Sequence, residues 1–291
     1  MEFQLQKQHD YLVCIDSDGT VFDSMELKHK ECFCPAFINI WHLQNVSLYA
    51  CEVWNFVNLY SVYRGINRFR AVDIVLRLLE KYPDAVAHGY VCPDLTNLEN
   101  WIQMTKSLSA VSLEKEIHDS GSSDYALNKA LEWTLEVDSN IRHIIRNVPP
   151  FPEAVNTIKS ISSHADIVVV SVAPHKNLQE EWHNYGIDRF PSLITGQEYG
   201  TKVDCIKKSL EKGYTADHVL KIGDAPGDFE AARICQVLFS PVIPGHESES
   251  WKRIGKEDFP LLIHGTYKTE MDARLEAFHA ELKTIPPWEN S

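Results

Sequence analysis

Five short apolar runs, each stopped abruptly by acidic or turn-forming residues, constrain this chain more than any other feature. Tyr11–Ile15 runs into Asp16, residues 167–170 into Ser171, and Leu193–Thr195 into Gly196. Residues 219–222 run into Gly223-Asp224, and residues 237–239 into Ser240-Pro241. Runs of this length read as strands buried on both faces. Helical stretches separate the later ones. Pro152–Ile161 opens on a proline, residues 175–185 stop at Gly186, residues 201–210 can start on the Thr201 hydroxyl, and residues 229–234 form a short piece. Strands alternating with helices predict an α/β fold with a parallel, Rossmann-like sheet and right-handed crossovers. In such sheets ligands bind at the carboxyl ends of the strands, where Asp16, Ser171 and Asp224 fall.

The stretch from Ser24 to Val148 has a different texture. Leu95, Leu98, Trp101 and Ile102 share one helical face, and Leu127, Leu131, Leu135, Ile141, Ile144 and Ile145 make another stripe. Phe37, Trp41, Tyr49, Trp54, Phe56, Tyr60 and Tyr63 read mostly as helix-bundle core. The expected organisation is a sheet-bearing core of residues 1–23 and 149–291, with a helical domain, 24–148, inserted after the first strand. Pro149, Pro150 and Pro152 mark the return.

Charge narrows the possible partners. The chain has 28 Lys and Arg against 41 Asp and Glu, a formal net charge of −13. That excess excludes non-specific nucleic-acid binding, which needs a basic face, and disfavours an anionic membrane surface. No apolar stretch is long enough to span a bilayer, and the first ten residues lack the pattern of a secretory signal. The seven cysteines are irregularly spaced, and Cys14, Cys51 and Cys235 sit in apolar runs. They read as reduced thiols in a cytoplasmic protein. Cys32 and Cys34 lack the second ligand pair of a zinc site. The oligomeric state is left open.

Two loops carry the chemistry. In Asp16-Ser17-Asp18-Gly19-Thr20-Val21-Phe22-Asp23, two carboxylates stand two residues apart at the tip of a buried strand. Carboxylates this close disfavour mutual ionisation unless a cation lies between them. In Gly223-Asp224-Ala225-Pro226-Gly227-Asp228, two more acids flank a loop that turns into a helix. Either loop alone could be an ordinary Asx-rich turn. Both at carboxyl ends of parallel strands point to a hard cation such as Mg²⁺.

Asp16-x-Asp18-Gly19-Thr20, then Ser171, then Lys202, then Gly223-Asp224-x-x-x-Asp228 resemble the four ordered motifs of the haloacid dehalogenase (HAD) superfamily of phosphatases. The helical insert directly after the first motif, with the run DGTVFDS, is similar to the C1-cap, phosphoglycolate phosphatase-like subgroup. The resemblance implies a Mg²⁺-dependent phosphatase acting on a small phosphorylated metabolite through an aspartyl-phosphate. It implies Asp16 as nucleophile and Asp18 as the acid that protonates the leaving oxygen, then the base for water. It implies Ser171 and the backbone near Val172 as phosphoryl donors and Lys202 as the compensating charge. The metal would be held by Asp16, the Asp18 carbonyl and Asp224, with Asp228 orienting a metal-bound water or Lys202. Ser17 stands where the family more often has an apolar residue, and Val172 where asparagine is frequent; these departures bear on substrate contacts.

A phosphomutase of the β-phosphoglucomutase type, on the same scaffold, is the alternative, and Thr20 in place of valine favours hydrolysis. A non-catalytic phosphate-binding protein is the third reading, weakened because every catalytic position is filled. Asp18 argues against dehalogenase and phosphonate-cleaving chemistry. Arg64, Arg68 and Arg70 lie within seven residues of an acidic chain. Their forked guanidiniums suit anions, so they are expected to help the helical domain select substrate, against the alternative of surface ion pairs.

Overall fold

The computed structural model describes residues 1–121 and 123–289, which divide into two units. The sheet-bearing unit comprises Met1–Met25 and Val148–Leu282. Its five strands are β1 (Tyr11–Ile15), β2 (Ala165–Val170), β3 (Leu193–Thr195), β4 (Val219–Gly223) and β5 (Leu238–Pro241). They pair in the order β3-β2-β1-β4-β5, all parallel. β1 is central, with Ile15 opposite Val169 on one side and Ile222 on the other.

Strand periodicity sorts the core into two layers. Val13, Ile15, Ile167, Val169, Leu220 and Ile222 pack under Ile158, Trp182 and Trp251. The alternate residues Leu12, Cys14, Val168, Val170, Val219 and Phe239 pack with Cys205, Ile206, Ala231 and Ala232. Helices cover both faces: Pro152–Ile161, His175–Asn184, Lys202–Leu210 and Pro226–Cys235 between strands, then Glu247–Arg253, Phe259–Ile263 and Lys268–Glu281 after β5. Coverage on both faces explains why the strands are apolar throughout.

Buried polar ties fix the ends. Asp166 at the start of β2 accepts from the backbone N–H groups of Gln8 and His9, both at 2.8 Å, and from the Tyr214 hydroxyl at 2.6 Å. The fully buried Asp258 accepts from Ser240 Oγ at 2.7 Å and from Arg253 Nε and Arg274 Nε, each at 3.1 Å. That cluster holds the C-terminal helices to β5. Lys268–Glu281 buries little apolar surface, Leu275 and Phe278 only.

The second unit is helical and runs from Glu26 to Asn147, joined by the chain from Lys283 onward. Its core is aromatic, with Trp54, Trp133, Phe37 and Phe69 fully buried. Trp54 and Trp133 meet edge to face at 5.7 Å, as do Phe69 and Trp101 at 5.0 Å. Asp124 caps the long helix Tyr125–Ile144 by accepting from Leu127 N–H at 2.9 Å. The C-terminal segment differs from the sequence reading, which kept it with the sheet. Lys283 N–H donates to Tyr60 O at 2.8 Å, and Trp288 stacks on Tyr82 at 4.8 Å. Burial of that indole against helical-unit aromatics draws the segment there.

No helix among the described residues is long and apolar enough to cross a membrane.

Candidate active site

The site is built at the carboxyl ends of β1, β2 and β4. Asp16 follows β1 and is 6% exposed, with its N–H donating to Ile222 O at 3.0 Å. The loop after it folds around Ser17. The Ser17 carbonyl accepts from Val21 N–H at 2.8 Å and Phe22 N–H at 3.1 Å, and Gly19 takes φ 71° to allow the reversal. Two buried indoles brace the loop: Trp182 Nε1 donates to Ser17 Oγ at 3.0 Å, and Trp251 Nε1 to Thr20 O at 2.7 Å. The half-buried Asp18 accepts from Ser24 Oγ at 2.5 Å.

Asp224 and Asp228 follow β4, 1% and 0% exposed. Thr20 Oγ1 donates to Asp224 Oδ1 at 2.7 Å, which ties the first acidic loop to the second. Asp228 fits because position 223 is glycine. A Cβ there would stand 2.2 Å from Asp228 Cγ, closer than packed atoms come.

Lys202 opens the helix after β3. Thr201 and Asp204 form a reciprocal cap, Thr201 N–H donating to Asp204 Oδ2 at 2.9 Å and Asp204 N–H to Thr201 Oγ1 at 3.1 Å. That cap fixes the turn from which the Lys202 side chain projects. Its Nζ donates to Asp16 Oδ2 at 2.9 Å and to Asp228 Oδ1 at 2.7 Å. The structure thus brings Asp16, Asp224, Asp228 and Lys202 together. The three acids each offer an oxygen within 4.8 Å of the others. The Asp18 side chain is not in that group.

The electrostatics follow from crowding. Burial, then the neighbouring Asp228, push the Asp16 carboxyl up to about 7, against the opposing pull of Lys202 and Lys221. Burial would also raise Asp228, but Lys202 and Lys221 outweigh it and hold that carboxyl below its ordinary value. Burial would lower Lys202, and Asp16 and Asp228 more than reverse it, so its ammonium stays charged. Asp228 Oδ2 is buried with no hydrogen-bond partner. An orphaned carboxylate oxygen inside an all-oxygen donor set fits a hard divalent cation such as Mg²⁺.

Ser171 follows β2, 5% exposed, and its Oγ accepts from Ala173 N–H at 3.2 Å, while Val172 is exposed. The helix His175–Asn184 begins just beyond, and its first N–H, from His175, donates to Glu198 Oε2 at 2.9 Å. The first N–H of that helix is therefore already engaged by a carboxylate.

The three arginines lie in the helical unit. Arg64 is buried, with Nη1 donating to Leu59 O at 2.9 Å. Arg68 pairs with Asp138 at 2.7 Å and lies over the Phe33 ring. Arg70 is exposed and makes a long 3.5 Å contact to Ile102 O.

Lys221 was not anticipated. It is fully buried in β4, and its Nζ lies 2.7 Å from Asp228 Oδ1. The signal was a lysine interrupting the run VLKI. A lysine in a strand covered on both faces needs a buried counter-charge.

No protein-family model matches the chain, and no curated protein does. Solved structures similar to it include haloacid dehalogenase-like hydrolases. One, a haloacid dehalogenase-like hydrolase from Streptococcus pneumoniae, has TM-score 0.42 and 15% identity over 79% of this chain and 82% of that one. Another, a candidate phosphoglycolate phosphatase from Lactobacillus delbrueckii subsp. bulgaricus, has TM-score 0.49 and 16% identity over 86% of this chain and 92% of that one. A hydrolase from Pseudomonas syringae has TM-score 0.41 and 14% identity over 87% of this chain and 91% of that one. Likeness at this level bears on neither activity nor substrate.

Proposed function

We propose that the chain is a Mg²⁺-dependent phosphatase that hydrolyses a small phosphorylated metabolite through a phosphoryl-Asp16 intermediate. The observation that carries this reading is the buried Asp16 carboxylate at the tip of the central strand, bridged to Asp228 by one lysine and grouped with Asp224.

Asp16 forms the new bond to phosphorus as the bond to the leaving oxygen breaks. A carboxylate nucleophile splits one hard displacement into two easier ones. Asp18 gives its proton to the departing oxygen, then takes one from the water that releases phosphate from Asp16. The Ser24 hydroxyl at 2.5 Å holds Asp18 in one orientation. Lys202 touches the nucleophile directly and offsets charge gathered by the phosphoryl group. Ser171 supplies a hydroxyl donor, with the Val172 backbone beside it. Asp16, Asp224 and the Asp18 carbonyl would hold Mg²⁺, with Asp228 beside them; the ion supplies charge neutralisation between two anions.

Of Arg64, Arg68 and Arg70, the three arginines proposed to help select substrate, Arg64 and Arg68 are committed to partners within their own unit and Arg70 is exposed. The seven cysteines are free thiols, which supports a reducing, cytoplasmic setting.

The test is hydrolysis of p-nitrophenyl phosphate by purified protein with Mg²⁺ and with EDTA, followed by a panel of phosphorylated metabolites. Mg²⁺-dependent release of nitrophenol supports the reading, and no release refutes it. Phosphoryl return to a sugar monophosphate supplied with its bisphosphate would instead mark a mutase.

A further inference from the structure

Lys221 occupies the centre of β4, level with Cys14 of β1 and Phe239 of β5. It is fully buried, and its Nζ donates to Ile222 O at 3.0 Å and pairs with Asp228 Oδ1 at 2.7 Å. Lys202 Nζ stands at the same 2.7 Å from the same oxygen. One carboxylate oxygen is therefore shared by two ammoniums, while its twin, Oδ2, has no partner. Lys202 in turn divides its bonds between Asp228 and Asp16.

Sharing has a consequence for Lys202. A buried carboxylate with one counter-ion holds that ion at full strength, because little solvent competes. With two counter-ions, each is held less tightly. A buried ion pair is weak evidence for stability, since a well-packed apolar residue of similar size often does as well or better. Methionine at position 221 would suit the layer formed by Cys14, Val219 and Phe239, so the presence of lysine there calls for another account.

We propose that Lys221 is a positioning residue for phosphoryl transfer. It fixes Asp228 through Oδ1 and takes up part of that charge, so that Lys202 stays available to Asp16 and the phosphoryl group instead of being captured by Asp228. The inference rests on Asp16 being the nucleophile and goes beyond it, because Lys221 touches no reacting atom.

The experiment compares Lys221→Met and Lys221→Gln with wild type, each checked for folding by circular dichroism and thermal melting. The glutamine keeps a donor for Ile222 O but removes the charge. Steady-state kinetics use p-nitrophenyl phosphate with Mg²⁺. In both variants kcat falls about tenfold or more while KM stays within about threefold, the signature of an interaction that matters in the transition state rather than in substrate binding. In an Asp228→Asn background, Lys221→Met slows turnover no further, because its target is gone. Folded variants with wild-type kcat overturn the proposal, as does a loss that multiplies with that of Asp228→Asn. Failure of both single variants to fold overturns it in favour of a structural role. An inactive wild-type protein is a different result: it removes the phosphatase reading, and the proposal with it.

Discussion

Replacing Gly223 by alanine tests how closely the second acidic loop is fitted. The new Cβ would lie 2.2 Å from Asp228 Cγ, 2.5 Å from its Cβ and 2.6 Å from Oδ2. Real Cβ contacts do not come under 3.0 Å, so the carboxylate must retreat by most of an ångström. Asp228 cannot retreat freely. Its N–H is bound to Ala225 O at 2.9 Å, its side chain is fully buried, and both lysines grip Oδ1 at 2.7 Å. Overpacking of this kind costs about 1–3 kcal/mol. At about 2–4 °C per kcal/mol for a unit of this size, Tm falls by roughly 2–12 °C. Activity falls further, because misplacing a catalytic group by about 1 Å costs on the order of 100-fold. The assay is kcat/KM on p-nitrophenyl phosphate at saturating Mg²⁺, beside a thermal melt. Gly227→Ala is the internal control, since a Cβ there meets nothing within 4 Å. Wild-type kcat/KM in Gly223→Ala would refute the reasoning, and equal losses at 223 and 227 would show that any added methyl disturbs the loop.

Asp16→Asn abolishes turnover while the protein still melts cooperatively, and a beryllium fluoride adduct seen on wild type is absent from it; retained phosphatase activity rules out the nucleophile role. Asp18→Asn loses more activity on alkyl phosphates than on p-nitrophenyl phosphate, whose leaving group needs less protonation, and equal losses count against general acid catalysis. Because burial and Asp228 raise Asp16 to about 7, its proton competes with a cation below that value. Mg²⁺ affinity measured by calorimetry therefore weakens as pH falls from 8 to 6, by about tenfold per unit at the acid end. Affinity that is flat across that range would show that Asp16 is already ionised without the metal.

The parallel sheet was legible because both its faces are covered. Burial on two sides leaves strands no polar alternation, and unbroken runs such as Tyr11–Ile15 and Leu193–Thr195 stand out with their ends intact. Pro152–Ile161 was legible for the same kind of reason: an opening proline and an apolar stripe mark both its start and its inner face. The helix Pro226–Cys235 was read short, as residues 229–234, because its first turn is also the acidic loop and carries the site's residues rather than core residues. The C-terminal helices escaped reading. Lys268–Glu281 shows no apolar stripe, and what holds it is Arg274 on the buried Asp258, with the preceding Tyr267 donating its hydroxyl to Phe239 O at 2.8 Å. Ion pairs between residues 16 apart leave no period in a sequence.

The site shows the same division between what spacing encodes and what only packing reveals. Asp16, Asp224, Asp228 and Lys202 were found by order along the chain, and the fold brings them within reach of one another. Lys221 was passed over because its neighbours made it look like strand. Buried acids by themselves would not have identified the site, since Asp166 and Asp258 are also buried and charged groups surround the latter. The difference lies in satisfaction. Asp166 accepts from two backbone N–H groups and a tyrosine, and Asp258 from two arginines and a serine, so each is a closed account of donors and acceptors. Asp228 has two ammoniums on one oxygen and nothing on the other, and Asp16 next to it is pushed toward holding a proton. A fold selected for stability alone would fill that gap with a donor, as it does twice elsewhere in the same unit. Leaving it open beside two more carboxylates costs stability in the metal-free protein, and the proposed cation would recover it. The melting temperature should therefore rise on adding Mg²⁺ to wild type and rise less in Asp224→Asn, whereas an equal rise in both would place the cation away from these acids.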